Sequence, residues 1–107
     1  MRCLQYDVIL VNLDPTVGSE IRKTRPCVVI SPNEMNQYLK TVIIAPITSR
    51  SKKYPTRVEI NLEGNKNWVV LDQIRTIDKV RIIKFIDDLT PQEIIKIKSV
   101  IQQMLVD

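Results

Sequence analysis

Apolar residues along this chain come in short runs, broken by prolines, glycines and polar clusters, until the last segment changes rhythm. YDVILVNL (residues 6–13) is rich in β-branched and aliphatic side chains and stops at the turn signal DPT, which predicts a strand. PCVVIS (26–31) predicts a second strand, with Pro26 tolerable because it stands first. PNEMNQY supplies helix-compatible residues after Pro32 and predicts one short turn of helix. TVIIAPITS (41–49) predicts a third strand, and its unbroken apolar run implies burial on both faces. TRVEINL (56–62) alternates Val58, Ile60 and Leu62 with Arg57, Glu59 and Asn61, the signature of a half-exposed strand. EGNK turns the chain into NWVVLDQIRTI (67–77), and RIIKFIDDL (81–89) closes the strand series. The rhythm then shifts to helical spacing: Ile94, Ile97, Val100, Ile101, Met104 and Leu105 form a stripe that must pack on the sheet. Thr90 fits the N-cap of that helix, Pro91 its first position, and Glu93 completes a capping box. The predicted fold is mainly β with a C-terminal α-helix, a small, partly closed antiparallel β-barrel that limits exposed edges.

Length and composition narrow this only slightly. A chain of 107 residues is expected to form a single domain, 1–107, able to bury one core. Its 44% apolar and 26% charged residues exclude a disordered chain. No apolar run reaches the roughly 18 residues of a membrane span. The start MRCLQYDVILVNLD lacks the pattern of a signal peptide, so no membrane partner and a cytoplasmic location are expected. Two cysteines, Cys3 and Cys27, give no disulfide framework, and Cys27 within its apolar run reads as a small buried hydrophobe.

Charge changes the picture more. The formal net charge is +4, and IRKTR (21–25) with RSKKYPTR (50–57) hold seven of the sixteen cations and no acid. Blocks of this kind attract polyanions. Histidine is absent, which excludes a mechanism built on an imidazole base and the commonest metal sites. Chemistry here falls to arginine, lysine, carboxylates, hydroxyls or water, with no metal and no cofactor expected. Three segments carry polar groups where a plain strand would not want them: GSEIRKTRP, the Thr48–Ser49 end of APITS, and VVLDQIRTID with Asp72, Gln73 and Arg75. A carboxylate in such a strand needs a partner, and Arg25 or Arg75 is the natural one.

Taken in order, LDPTVGSE, TRPCVVIS, APITS and VVLDQIRTID resemble the MazF/PemK (Kid-like) toxins of bacterial toxin–antitoxin modules, over nearly the whole chain. The resemblance implies an SH3-like, CcdB/PemK-like barrel and a sequence-specific, metal-independent endoribonuclease (an mRNA interferase) active as a homodimer. Such enzymes cleave single-stranded RNA to 2′,3′-cyclic phosphate and 5′-hydroxyl ends, and a cognate antitoxin with an acidic, partly disordered segment blocks them. Carried onto this chain, the catalytic arginine of the TRP motif is Arg25 and the threonine of P-x-T-S is Thr48. The loop glutamate is Glu20 and the aspartate of the D-Q-x-R-T segment is Asp72. Two positions depart from the family pattern: Tyr6 stands where relatives usually carry Gly, and Ser19 where some carry His.

The residues suit that chemistry. Arg25 presents a planar fork of donors to phosphate oxygens, and Thr48, assisted by Ser49, adds a hydroxyl. Arginine is a poor general base, so the base is Glu20, Asp72 or a bound water, with Glu20 ranked first and Asp72 second, as an orienting partner for Arg25. Arg22, Lys23, Lys52 and Lys53 read as a groove for the RNA backbone, and Tyr54, or Tyr38, as a platform for a base. Two other classes compete: a toxin of the same fold that binds a protein target, as CcdB-like gyrase poisons do, and a non-enzymatic nucleic-acid-binding barrel.

Overall fold

The computed structural model describes residues 3–13, 24–51 and 53–106. Its elements are β1 (Asp7–Asn12), β2 (Thr24–Val29), α1 (Asn33–Tyr38), β3 (Thr41–Thr48), β4 (Arg57–Leu62), β5 (Asn65–Val70), β6 (Arg75–Asp78), β7 (Ile82–Asp88) and α2 (Pro91–Leu105). The strands form one curled antiparallel sheet in the order β4-β5-β3-β2-β1-β7, with β6 also paired to β3. The mainly β fold with a C-terminal helix is the one the patterning predicts.

Strand β3 holds the sheet together. One of its edges pairs with β2 from Ile44 to Pro46. The other is divided, β6 lying along Thr41–Ile44 and β5 along Ile47–Thr48. Ala45 and Pro46 fall between the two partners on that edge, so Pro46 stands where its missing N–H disrupts neither ladder.

The continuous apolar runs have the cause expected of them: the central strands bury both faces. One core gathers Val8, Val28, Ala45 and Ile47 with Val58, Ile60, Leu62, Val69 and Leu71, and α2 covers it through Ile97. The other takes the alternate residues Ile9, Val11, Cys27, Val29, Val42 and Ile44, together with Ile77. Strand β4 buries only Val58, Ile60 and Leu62, as its alternation predicts.

Three local features depart from or sharpen the sequence reading. The predicted strand 67–77 is broken: a 3₁₀ turn at Leu71–Gln73 separates β5 from β6, so Asp72 and Gln73 sit at a corner and not within a ladder. Leu105 closes the helix exposed, although the rest of its stripe packs inward. Tyr6 has φ 69°, the left-handed region in which glycine alone is unstrained. That explains why a glycine suits this position. Here the strained tyrosine packs its ring on the α2 core and lies 5.8 Å from the Lys98 ammonium.

The capping box of α2 is complete and reaches further than the helix. Thr90 Oγ1 accepts from the Glu93 N–H at 3.2 Å, and Glu93 Oε1 accepts from the Thr90 N–H at 2.8 Å. Glu93 Oε2 also accepts from the Asn61 N–H of β4 at 2.8 Å, tying the helix start to the sheet. Among the described residues, no helix is long and apolar enough to cross a membrane.

Two outcomes are expected. Thr90→Ala lowers unfolding free energy by about 1 kcal/mol, and Glu93→Ala lowers it more, because the Asn61 N–H loses its partner as well; urea denaturation ranks them. Burial pushes the Cys27 thiol up to about 12, against a smaller opposing effect of Arg25 and Arg75, and its side chain is inaccessible. A thiol reagent at about pH 8 therefore labels Cys3 in the native protein, slowly since burial raises that thiol too, while Cys27 reacts only after denaturation.

Candidate active site

The second core ends in a polar cleft, and strand register explains why. Cys27 pairs with Pro46, Val28 with Ala45 and Val29 with Ile44. Continued two residues further, this register sets Arg25 opposite Thr48. Alternation puts Arg25 on the side of Cys27 and Thr48 on the side of Ile44, the face of the second core. On β6, Arg75 stands two residues before the buried Ile77 and is paired with Ile44. Apolar side chains thus give way to arginines near the starts of β2 and β6.

The resulting cleft encloses about 320 Å³ and is lined by Leu13, Arg25, Pro46, Ile47, Thr48, Arg50, Arg57, Val70, Gln73 and Arg75. Four guanidinium groups meet in one concavity, and among the described residues no carboxylate lines it. Such an arrangement is stable in water only where the cations stay hydrated or bind anions. Among the described residues, no hydrogen bond or ion pair engages the Arg25 guanidinium.

Thr48 is oriented by its own turn. Its hydroxyl accepts from the Arg50 N–H at 3.2 Å and donates to the Arg50 carbonyl at 3.1 Å. This local loop directs residues 48–50 and sets Arg50 at the mouth of the cleft, and the hydroxyl must rotate to donate to anything else.

Asp72 differs from the sequence expectation. Its partner is Arg57, not Arg25 or Arg75. Arg57 Nε donates to Asp72 Oδ1 at 3.3 Å and Nη2 to Oδ2 at 3.5 Å, while Thr56 Oγ1 donates to Oδ1 at 2.9 Å. The reason is register: Arg57 stands opposite Val70 in the β4–β5 ladder, two residues before Asp72. Arg75 has already turned onto β6. Burial alone would raise the Asp72 pKa, but hydrogen bonds from Arg57 and Thr56, a backbone hydrogen bond and the Arg57 charge together hold the carboxyl below its ordinary value.

The other residues expected at the site are spread around the cleft. Ser49, Lys53 and Tyr54 are exposed and do not line it. Tyr54 has its ring 4.9 Å from the Arg57 guanidinium. Tyr38 is exposed on α1 and likewise does not line the cleft. Glu20, Arg22, Lys23 and Lys52 lie outside the described residues. Conversely, Arg50, Arg57, Gln73 and Arg75 line the cleft without having been singled out as site residues. Arg50 and Arg57 belong to the acid-free block 50–57, and that charge run was the signal available for them.

A family model described as PemK-like, MazF-like toxin of type II toxin–antitoxin systems matches residues 4–105. The fold is similar to that of MazE–MazF from Deinococcus radiodurans, with TM-score 0.83, 24% identity, and 96% of this chain and 95% of that one covered. It is similar to MazF from the same organism, with TM-score 0.80, 24% identity and 96% of each chain covered. A mycobacterial endoribonuclease in complex with its cognate antitoxin gives TM-score 0.81 and 21% identity, over 97% of this chain and 95% of that one.

The Asp72–Arg57 pair has a measurable consequence. Because the folded-state pKa is depressed, the pair adds stability above about pH 4 and loses it as pH falls through the folded value. The Asp72 carboxyl, followed by NMR, is expected to titrate below the roughly 3.9 of a free aspartate and to move back up in Arg57→Gln.

Proposed function

The chain belongs to the PemK-like, MazF-like toxins of type II toxin–antitoxin systems, and on that premise we propose that it is an endoribonuclease acting on single-stranded RNA. The observation that carries this reading is the meeting of Arg25 and Thr48 in one arginine-lined cleft. The reaction is attack of a ribose 2′-hydroxyl on the adjacent phosphate, with departure of the 5′-oxygen. It leaves a 2′,3′-cyclic phosphate and a 5′-hydroxyl.

Such a cleavage needs three things. The 2′-oxygen loses a proton, the crowded phosphate gains stabilising donors, and the 5′-oxygen gains a proton as it leaves. Arg25 supplies the second, its fork matching two phosphate oxygens. One preorganised donor of this kind is worth about 3 kcal/mol, a hundredfold in rate. The Thr48 hydroxyl, released from the Arg50 carbonyl, donates to the same phosphate, with Ser49 beside it. Arg25 also takes the acid role, protonating the leaving oxygen. The base role is assigned to Glu20. None of these steps calls for a metal.

Arg22, Lys23, Lys52 and Lys53 hold the backbone of the strand, and Tyr54, next to Lys53 in the sequence, stacks a base. The protein acts as a homodimer in the cytoplasm, and an acidic, partly disordered segment of a cognate antitoxin blocks the cleft. Charge supports that mode, since an acidic peptide and an RNA strand compete for the same guanidinium groups.

Purified protein is expected to cut a long single-stranded RNA into discrete fragments in excess EDTA, with cyclic-phosphate and 5′-hydroxyl ends on end-group mapping. Arg25→Ala lowers the single-turnover rate by about 10²-fold or more while RNA remains bound. Intact RNA after incubation with folded wild-type protein would sink the reading.

A further inference from the structure

Arg57 is held in a way that a simple surface ion pair does not require. Two of its N–H groups go to Asp72 and a third, on Nη1, donates to Ser51 Oγ at 3.0 Å. The Tyr54 ring covers its guanidinium. Asp72 is itself fixed by Thr56, and the Leu71 N–H donates to the Thr56 carbonyl at 3.1 Å, joining the corner of β5 to the start of β4. Three of the five guanidinium donors are thereby engaged, and two have no partner among the described residues. The group nevertheless lines the cleft that contains Arg25 and Thr48.

We propose that Arg57 binds a second phosphate of the RNA strand, next to the one held by Arg25, and that Asp72 is a positioning residue for Arg57 and takes no proton in the reaction. The inference rests on the RNA-cleaving reading and deepens it: the cleft holds two neighbouring phosphates, so the substrate is gripped on both sides of a nucleotide. A guanidinium whose Nε edge is clamped by a carboxylate presents its remaining donors in a fixed direction, which lowers the entropy lost on binding an anion. Asp72 is poorly suited to be a base. It is absent from the cleft lining, and both of its oxygens already accept hydrogen bonds from Thr56 and Arg57. Its depressed pKa agrees with that, since a base at neutral pH works best with a raised one.

Binding of the full chain to a single-stranded DNA oligonucleotide, which has the phosphates but no 2′-hydroxyl, tests Arg57 apart from cleavage. Anisotropy titrations across salt are expected to show Arg57→Gln weakening affinity about tenfold and reducing the slope of log K against log salt by about 0.7. Arg57→Lys should restore the slope and only part of the affinity. Asp72→Ala should weaken binding nearly as much as Arg57→Gln. Asp72→Asn, whose amide oxygen still accepts from Arg57, should weaken it less, and its single-turnover cleavage of RNA should keep the wild-type pH dependence from about pH 5 to 8. Circular dichroism confirms that each variant is folded, and if Arg57→Gln is not, Arg57→Lys against wild type carries the comparison. An unchanged salt slope in Arg57→Gln overturns the second phosphate contact, or, where that variant is unfolded, undiminished affinity in Arg57→Lys does so. A hundredfold loss of rate in Asp72→Asn with binding intact makes Asp72 the base and overturns its positioning role. Wild-type protein that binds the oligonucleotide but leaves RNA intact would remove the cleavage reading, while the Arg57 slope and the Asp72→Ala and Asp72→Asn affinities still decide this one.

Discussion

Strand β3 shares one edge between two partners, β6 along Thr41–Ile44 and β5 along Ile47–Thr48, and much of the structure follows from that division. The chain must leave β5, turn, and return to the same edge as β6. It does so through the 3₁₀ turn Leu71–Gln73, anchored by the fully buried Leu71. The turn carries Asp72 and Gln73 out of the ladder, where a carboxylate would lack a place, and sets them beside the gap that the two partners leave at Ala45–Pro46.

Closure of the sheet also determines where charge collects. Arg25 is the second residue of β2, Arg57 begins β4, Arg75 begins β6 and Arg50 follows β3, so four elements deliver cations to one rim. Each is ordinary at the end of a strand. Together they create a concave positive surface backed by apolar residues, where field lines are focused and anions are favoured over water. Asp72 is taken up by Arg57, which neutralises little of the rim and instead fixes one of its members. The exposure of that pair, 20% for the Arg57 side chain and 35% for Asp72, keeps its own contribution to stability small. Its effect is on geometry.

The two cores assign different duties to the two faces of the sheet. The face under α2 is closed: Ile97 is fully buried and Glu93 bonds both its own helix start and β4. The opposite face ends openly at Leu13, Pro46 and the arginines. A rigid helix-covered side thus backs an accessible side, and the residues at the rim project from strand ends whose other residues are locked in ladders.

Much was legible in the residues themselves. Runs of four to eight apolar positions, the alternation of β4 and the Thr90–Glu93 capping box depend on neighbours within a few positions, and local sterics and periodicity decide them. The unbroken run of β3 announced two-sided burial for the same reason. The family pattern pointed to Arg25, Thr48 and Asp72, and the first two do line one cleft. What the sequence could not say was which charges would meet. Asp72 is three residues from Arg75 along the chain, yet its cation is Arg57, fifteen residues away, because the β4–β5 register brings that side chain alongside. Arg50, Arg57 and Arg75 joined the cleft for the same reason. Pairing partners and a common rim are properties of strand register and sheet closure, which arise from contacts far apart in sequence, and only the tertiary structure decides them.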